Sequence, residues 1–187
     1  MTYFASLGEM LLILALIIAA KRCVRSTFPQ LMKLAVVLSL GFVAVTASFG
    51  VFRFAGVESV IAIHDTTSWL SSNIAMTVYA SVTALLFLKE QNTPLLTKTI
   101  KVLLVLNTVL CIVATTMFSN VLIFIALVLT AYYSQYTKQV IIALVLLLLV
   151  PLTAFLPTSA DLQMGVFHLL LALHFMVMAK VYKSEES

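Results

Sequence analysis

VLLVLNTVLCIVATTMFSNVLIFIALVLTAYYSQYT, residues 102–137, is a run of 36 residues without a charged side chain. As a single α-helix it would be about 54 Å long at ~1.5 Å per residue, far more than the ~30 Å hydrocarbon core of a bilayer. A run this long cannot cross once. It has to fold back, and Met117-Phe118-Ser119-Asn120 is the place where polar residues interrupt it. The stretch therefore predicts two spans, 102–117 and 120–137, joined by a tight hairpin.

Outward from this stretch, Lys98 and Lys101 precede it and Lys138 follows it. Upstream, Lys89-Glu90-Gln91-Asn92-Thr93-Pro94 reads as a loop, with Thr93 as helix cap and Pro94 in the first helical position. Apolar runs at 3–20, 34–51 and 66–88 come before it. Ser26-Thr27-Phe28-Pro29 starts the second of these, and Asp65 is placed to cap the third. Beyond Lys138 lie spans 139–157, kinked at Pro151, and 161–180, separated by the turn Pro157-Thr158-Ser159. The expected fold is all-α: a single seven-transmembrane-helix bundle without internal repeats.

Composition agrees. With 63% hydrophobic and 10% charged residues in 187, the chain has more apolar surface than a soluble core of this size can hide, so the lipid bilayer is its first partner. The net charge of +4 comes from basic residues spaced between apolar runs, which excludes a nucleic-acid surface. Cys23 and Cys111 belong to different depths, so no disulfide is expected, and there is no CxxC motif, P-loop or dinucleotide fingerprint.

The basic cluster Lys21, Arg22 and Arg25 follows the first apolar run instead of preceding it. This is the pattern of an uncleaved first span with its N-terminus outside. Seven spans then put ten of the 11 basic residues on the cytoplasmic side with the C-terminus, and leave Arg53 alone outside. Such a chain belongs in a bacterial inner membrane or a plasma membrane as a multi-pass protein.

Polar chemistry concentrates in RFAGVESVIAIHDTTSW, residues 53–69. This topology places Arg53, Glu58, His64, Asp65 and Asp161 near the outer surface, with His168 two helical turns below Asp161. Histidines with carboxylates in a membrane point to metal ligation, proton relay or haem ligation. His64, His168 and Asp161 are the candidate metal ligands. Asp65 reads both as a cap and as a site residue, and Arg53 with Glu58 reads as an ion pair tethering the outer loop. His174 lies about 9 Å deeper than His168 and points about 120° away, toward a neighbouring helix. Asn73, Asn107 and Asn120 read as interhelical hydrogen-bond formers, and Trp69 and Tyr132-Tyr133 as interfacial anchors. Glu9, inside the first span, either snorkels outward or lines the same polar cavity.

Seven spans, an outside N-terminus, Ser48 late in the second span, Asp65 at the start of the third and His168 in the seventh together resemble the alkaline ceramidase-like (CREST) superfamily of membrane hydrolases. That family's pattern is Ser-x-x-x-His in the second span, Asp near the start of the third, and His-x-x-x-His in the seventh, with three histidines holding zinc. Here Phe52 and Ala172 stand at the positions of the other two histidines, and His64 and His174 are the chain's remaining imidazoles. The resemblance implies zinc-activated water attacking a lipid amide or ester, His168 as a ligand, and Asp65 and Ser48 as catalytic residues.

Three functions are compatible with this reading. One is a metal-dependent lipid hydrolase whose site opens outward. A second is a nonenzymatic subunit or small carrier that uses the same cluster for a ligand or a membrane-protein partner. A third is a haem or electron-transfer protein with two axial histidines.

Overall fold

The computed structural model describes residues 3–90, 94–113 and 116–183, with side chains throughout these except at 89–90, 112–113, 116–117 and 183. Among the described residues the fold is all-helical. The α-helices are α1 (Phe4–Arg25), α2 (Gln30–Phe54), α3 (Ile61–Leu70), α4 (Met76–Glu90), α5 (Pro94–Val113), α6 (Thr116–Tyr133), α7 (Thr137–Leu149) and α8 (Ala160–Lys183). A π-helical segment, Ser71–Ala75, joins α3 to α4 without a break, so the two form one rod. Six helical stretches are long and apolar enough to cross a membrane, and Phe118–Tyr133 is a shorter apolar helix.

The apolar residues do not segregate to one face. Leu7, Met10, Leu11, Leu14 and Ile17 form an exposed stripe along α1, while Leu12, Ala15, Leu16 and Ala19 on the same helix are buried. A helix apolar on both its packed and its outward faces is suited to lipid, not to water.

Helix α1 packs on α2 and α8, α2 on α4, α4 on α6, α6 on α7, and α7 on α8, which closes a ring. Helix α5 stands outside it, against α4 and α6. The seam between α1 and α8 is glycine on glycine: a Cβ on Gly8 would come within 2.9 Å of the Gly165 carbonyl oxygen. Small residues allow two membrane helices to approach this closely.

Several boundaries differ from the sequence expectation. Helix α3 begins at Ile61, after a short 3-10 turn at Glu58–Val60. Asp65 thus lies a turn inside the helix and caps nothing. The cause is the end of α2, where Gly56 at φ 93° lets the Gly56 and Val57 amides bond back to the Arg53 and Phe52 carbonyls. This left-handed glycine stop reverses the chain within two residues, so the next helix starts early.

Residues 117–120 are likewise helical, within the first turns of α6. Ser119 is fully buried and bonded to Asn107, so its polarity serves packing between helices and not a turn. Helix α5 ends at Val113 and α6 begins at Thr116; residues 114–115 lie outside the described residues, as do the Thr93 cap and the tail from Ser184. Pro151 does not kink a continuing α-helix. The rod tightens to 3-10 geometry over Val150–Phe155, which needs no amide from the proline at that position. At the start of α2, Ser26 caps the other helix, with its hydroxyl donating to the Cys23 carbonyl at 2.7 Å.

Candidate functional site

The polar centre is Glu9. It sits in the second turn of α1 and is 2% exposed. Its Oε1 lies 3.1 Å from Nε2 of His168 on α8 and 3.8 Å from Nε2 of His64 on α3. Two features of the sequence make room for this. Gly50 on α2 has no Cβ, and one built there would collide with the Glu9 carboxylate. The Gly8–Gly165 seam brings α8 close enough for His168 to reach the same carboxylate.

Arg53, in the last turn of α2, extends the cluster. Its Nη1 pairs with Asp65 Oδ1 and approaches His64 Nδ1 at 2.8 Å. The glycine stop at Gly56 folds α3 back against this turn. Arg53 therefore partners Asp65, not Glu58 as the sequence spacing suggested. A guanidinium only donates, so His64 Nδ1 accepts, and a neutral His64 carries its proton on Nε2, facing Ser68 Oγ at 3.3 Å and Glu9. The rings of Phe54 and Phe167 pack beside the imidazole of His168, at 6.0 and 5.0 Å.

Glu9, His64, Asp65 and His168 line a cavity of about 660 Å³ inside the helix ring. Its remaining wall is mostly apolar, including Leu12, Val43, Met76, Leu144, Leu171 and Phe175. Asn120, Phe124, Leu148 and Pro151 line it too and are themselves exposed, so the cavity reaches the outside of the bundle along the flank of α6 and the α7 rod. A volume of this size matches small-molecule sites, which run about 300–1,000 Å³.

The sequence candidates divide. His64 and His168 come together through Glu9, and Asp65 joins through Arg53. Asp161, expected beside the histidines as a metal ligand, instead accepts the Ala5 amide at 3.1 Å and anchors the N-terminus of α1. Ser48 donates to the Ala44 carbonyl on its own helix at 2.9 Å and does not line the cavity. His174 is fully buried elsewhere, with Nδ1 2.8 Å from the Ala143 carbonyl and Nε2 3.2 Å from the Tyr79 hydroxyl. Both of its nitrogens are occupied, which leaves none for haem iron. His64, expected near the outer surface, is 6% exposed.

Zinc does not fit these residues. Among the described residues no three or more His, Cys, Asp and Glu side chains are disposed to hold a metal ion. The Arg53 guanidinium occupies the His64 nitrogen that faces away from Glu9, and Phe52, at the position of the resembled family's second-span histidine, is 54% exposed.

Glu9 is the member whose place in the site the sequence left open, and Arg53 the one it assigned to Glu58. The signal for Glu9 was present, since a carboxylate inside an apolar run has to find partners. Which partners depends on α8 lying against α1, and nothing local encodes that. Comparison with protein-family models, with curated proteins and with solved structures finds no match.

Proposed function

We propose that this chain is a seven-span membrane protein with its N-terminus outside, and that it takes an amphiphile from the bilayer into its central cavity. The observation that carries the reading is a buried carboxylate flanked by two imidazoles, at the polar end of an otherwise apolar cavity of about 660 Å³. An apolar wall receives a hydrocarbon tail, and a few convergent polar groups orient a head. The exposed lining residues on α6 and the α7 rod suit sideways entry from lipid. The span count rests on the seven apolar rods, and the sidedness on the basic residues.

Native mass spectrometry of protein extracted in mild detergent tests this. A bound amphiphile is expected on the wild-type chain and absent from Leu147→Trp, which fills the cavity from α7. Identical spectra for the two would overturn the proposal.

One observation favours a second reading, lipid ester or amide hydrolysis without a metal. Ser68, His64 and Asp65 stand in nucleophile, base and acid order, with Asp65 Oδ1 3.8 Å from His64 Nδ1. Against it, Arg53 on Nδ1 holds the His64 proton on the nitrogen that faces Ser68, the wrong tautomer for a base. An alkyl fluorophosphonate is therefore expected to leave Ser68 unlabelled, and a Ser68 adduct would favour the hydrolase.

A further inference from the structure

We infer that the amphiphile carries a primary ammonium head, received by Glu9 at the buried end of the cavity. This rests on the cavity being an amphiphile site and adds the chemical class of the head.

The first argument is a count of donors and acceptors. The polar groups lining the cavity include one guanidinium, Arg53, and it is committed to Asp65 and to His64 Nδ1. Of the other polar lining groups, the Glu9 carboxylate only accepts when ionised, while the hydroxyls of Thr46, Ser68, Ser71 and Ser72 and the Asn120 amide both donate and accept. His168, 6% exposed, sets its Nε2 3.1 Å from the Glu9 carboxylate. An ammonium brings three donors and accepts nothing.

The second argument is charge. Arg53 balances Asp65, which leaves Glu9 with imidazole neighbours and no fixed cation beside it. A carboxylic acid head would set a second anion against Glu9. A hydroxyl head would supply a single donor and no charge. An ammonium answers both shortages, because a buried carboxylate is favourable only when it is paired and hydrogen-bonded. Phe167, an aromatic ring in the cavity lining, tolerates a cation at close range.

The experiment places the full chain in phosphatidylcholine nanodiscs and titrates dodecylamine, dodecanoic acid and dodecanol at matched mole fraction in the disc. Trp69, the only tryptophan, reports the thermal unfolding midpoint. Dodecylamine is expected to raise the midpoint at the lowest mole fraction, and Glu9→Gln to weaken that effect about ten- to hundred-fold, as for loss of a hydrogen bond to a charged group. Equal potency of the acid or the alcohol on the wild-type protein overturns the ammonium assignment without touching the cavity reading, and this comparison needs no variant to fold. Unchanged amine response in Glu9→Gln overturns it as well. If none of the three shifts the wild-type midpoint, the amphiphile site itself falls.

Discussion

At the scale of single residues, the site depends on an atom that is missing. Gly50 leaves the volume that the Glu9 carboxylate occupies, and a methyl group there would meet the carboxylate and then its Cγ at 3.1 Å. The carboxylate is the free end of a flexible side chain and can swing aside. Gly50→Ala is thus expected to cost roughly 1 kcal/mol or less in stability. It should still move Glu9 off His168 and weaken amphiphile retention about tenfold or more. Thermal midpoints and native mass spectra of the one variant separate the two effects, and parallel losses of folding and binding would contradict the assigned role. Neither glycine nor glutamate announces this in the sequence. Their meeting depends on α1 and α2 packing at one particular register.

At the scale of elements, the π segment is the feature that periodicity could not reveal. Ser71–Ala75 lies in a continuous rod, and its extra residue per turn frees backbone groups for other helices. Asn107 on α5 uses one of them, donating to the Asn73 carbonyl at 3.0 Å while accepting from Ser119 at 2.9 Å. The reading of Asn107 as a side chain that joins helices holds, with a carbonyl on the π segment and a serine assigned to a turn as partners; the Asn73 side chain instead donates to the Trp69 carbonyl on its own rod. Asn107→Ala removes both bonds and is expected to destabilise the protein by about 1 kcal/mol. Because α5 stands outside the ring, cavity occupancy should be unchanged. Reversible unfolding in detergent, with native mass spectrometry alongside, checks both parts, and loss of the bound amphiphile would tie α5 to the cavity.

At the scale of the whole molecule, the proposed sidedness can be read by cysteine labelling. Cys23 and Cys111 are buried at 0% and 4% exposure, so replacing both with alanine gives a quiet background. In intact cells a membrane-impermeant maleimide is expected to label Ser59→Cys, and to label Thr27→Cys only after permeabilisation. The opposite pattern would invert the topology. The helical class, the number of long apolar helices to within one, and the apolar character of every face were legible from composition and run length, because a bilayer's thickness sets how long a crossing helix must be. The chain alone also marked His64, His168 and Asp65 as residues worth locating. It could not say that Asp161 would turn to the Ala5 amide, that Arg53 would choose Asp65 over Glu58, or that Glu9 would stand between two imidazoles. Those outcomes depend on helix register and on which rods are neighbours. Packing among nearly uniform apolar surfaces is decided by where glycines allow close approach, and that becomes visible only once the helices are together.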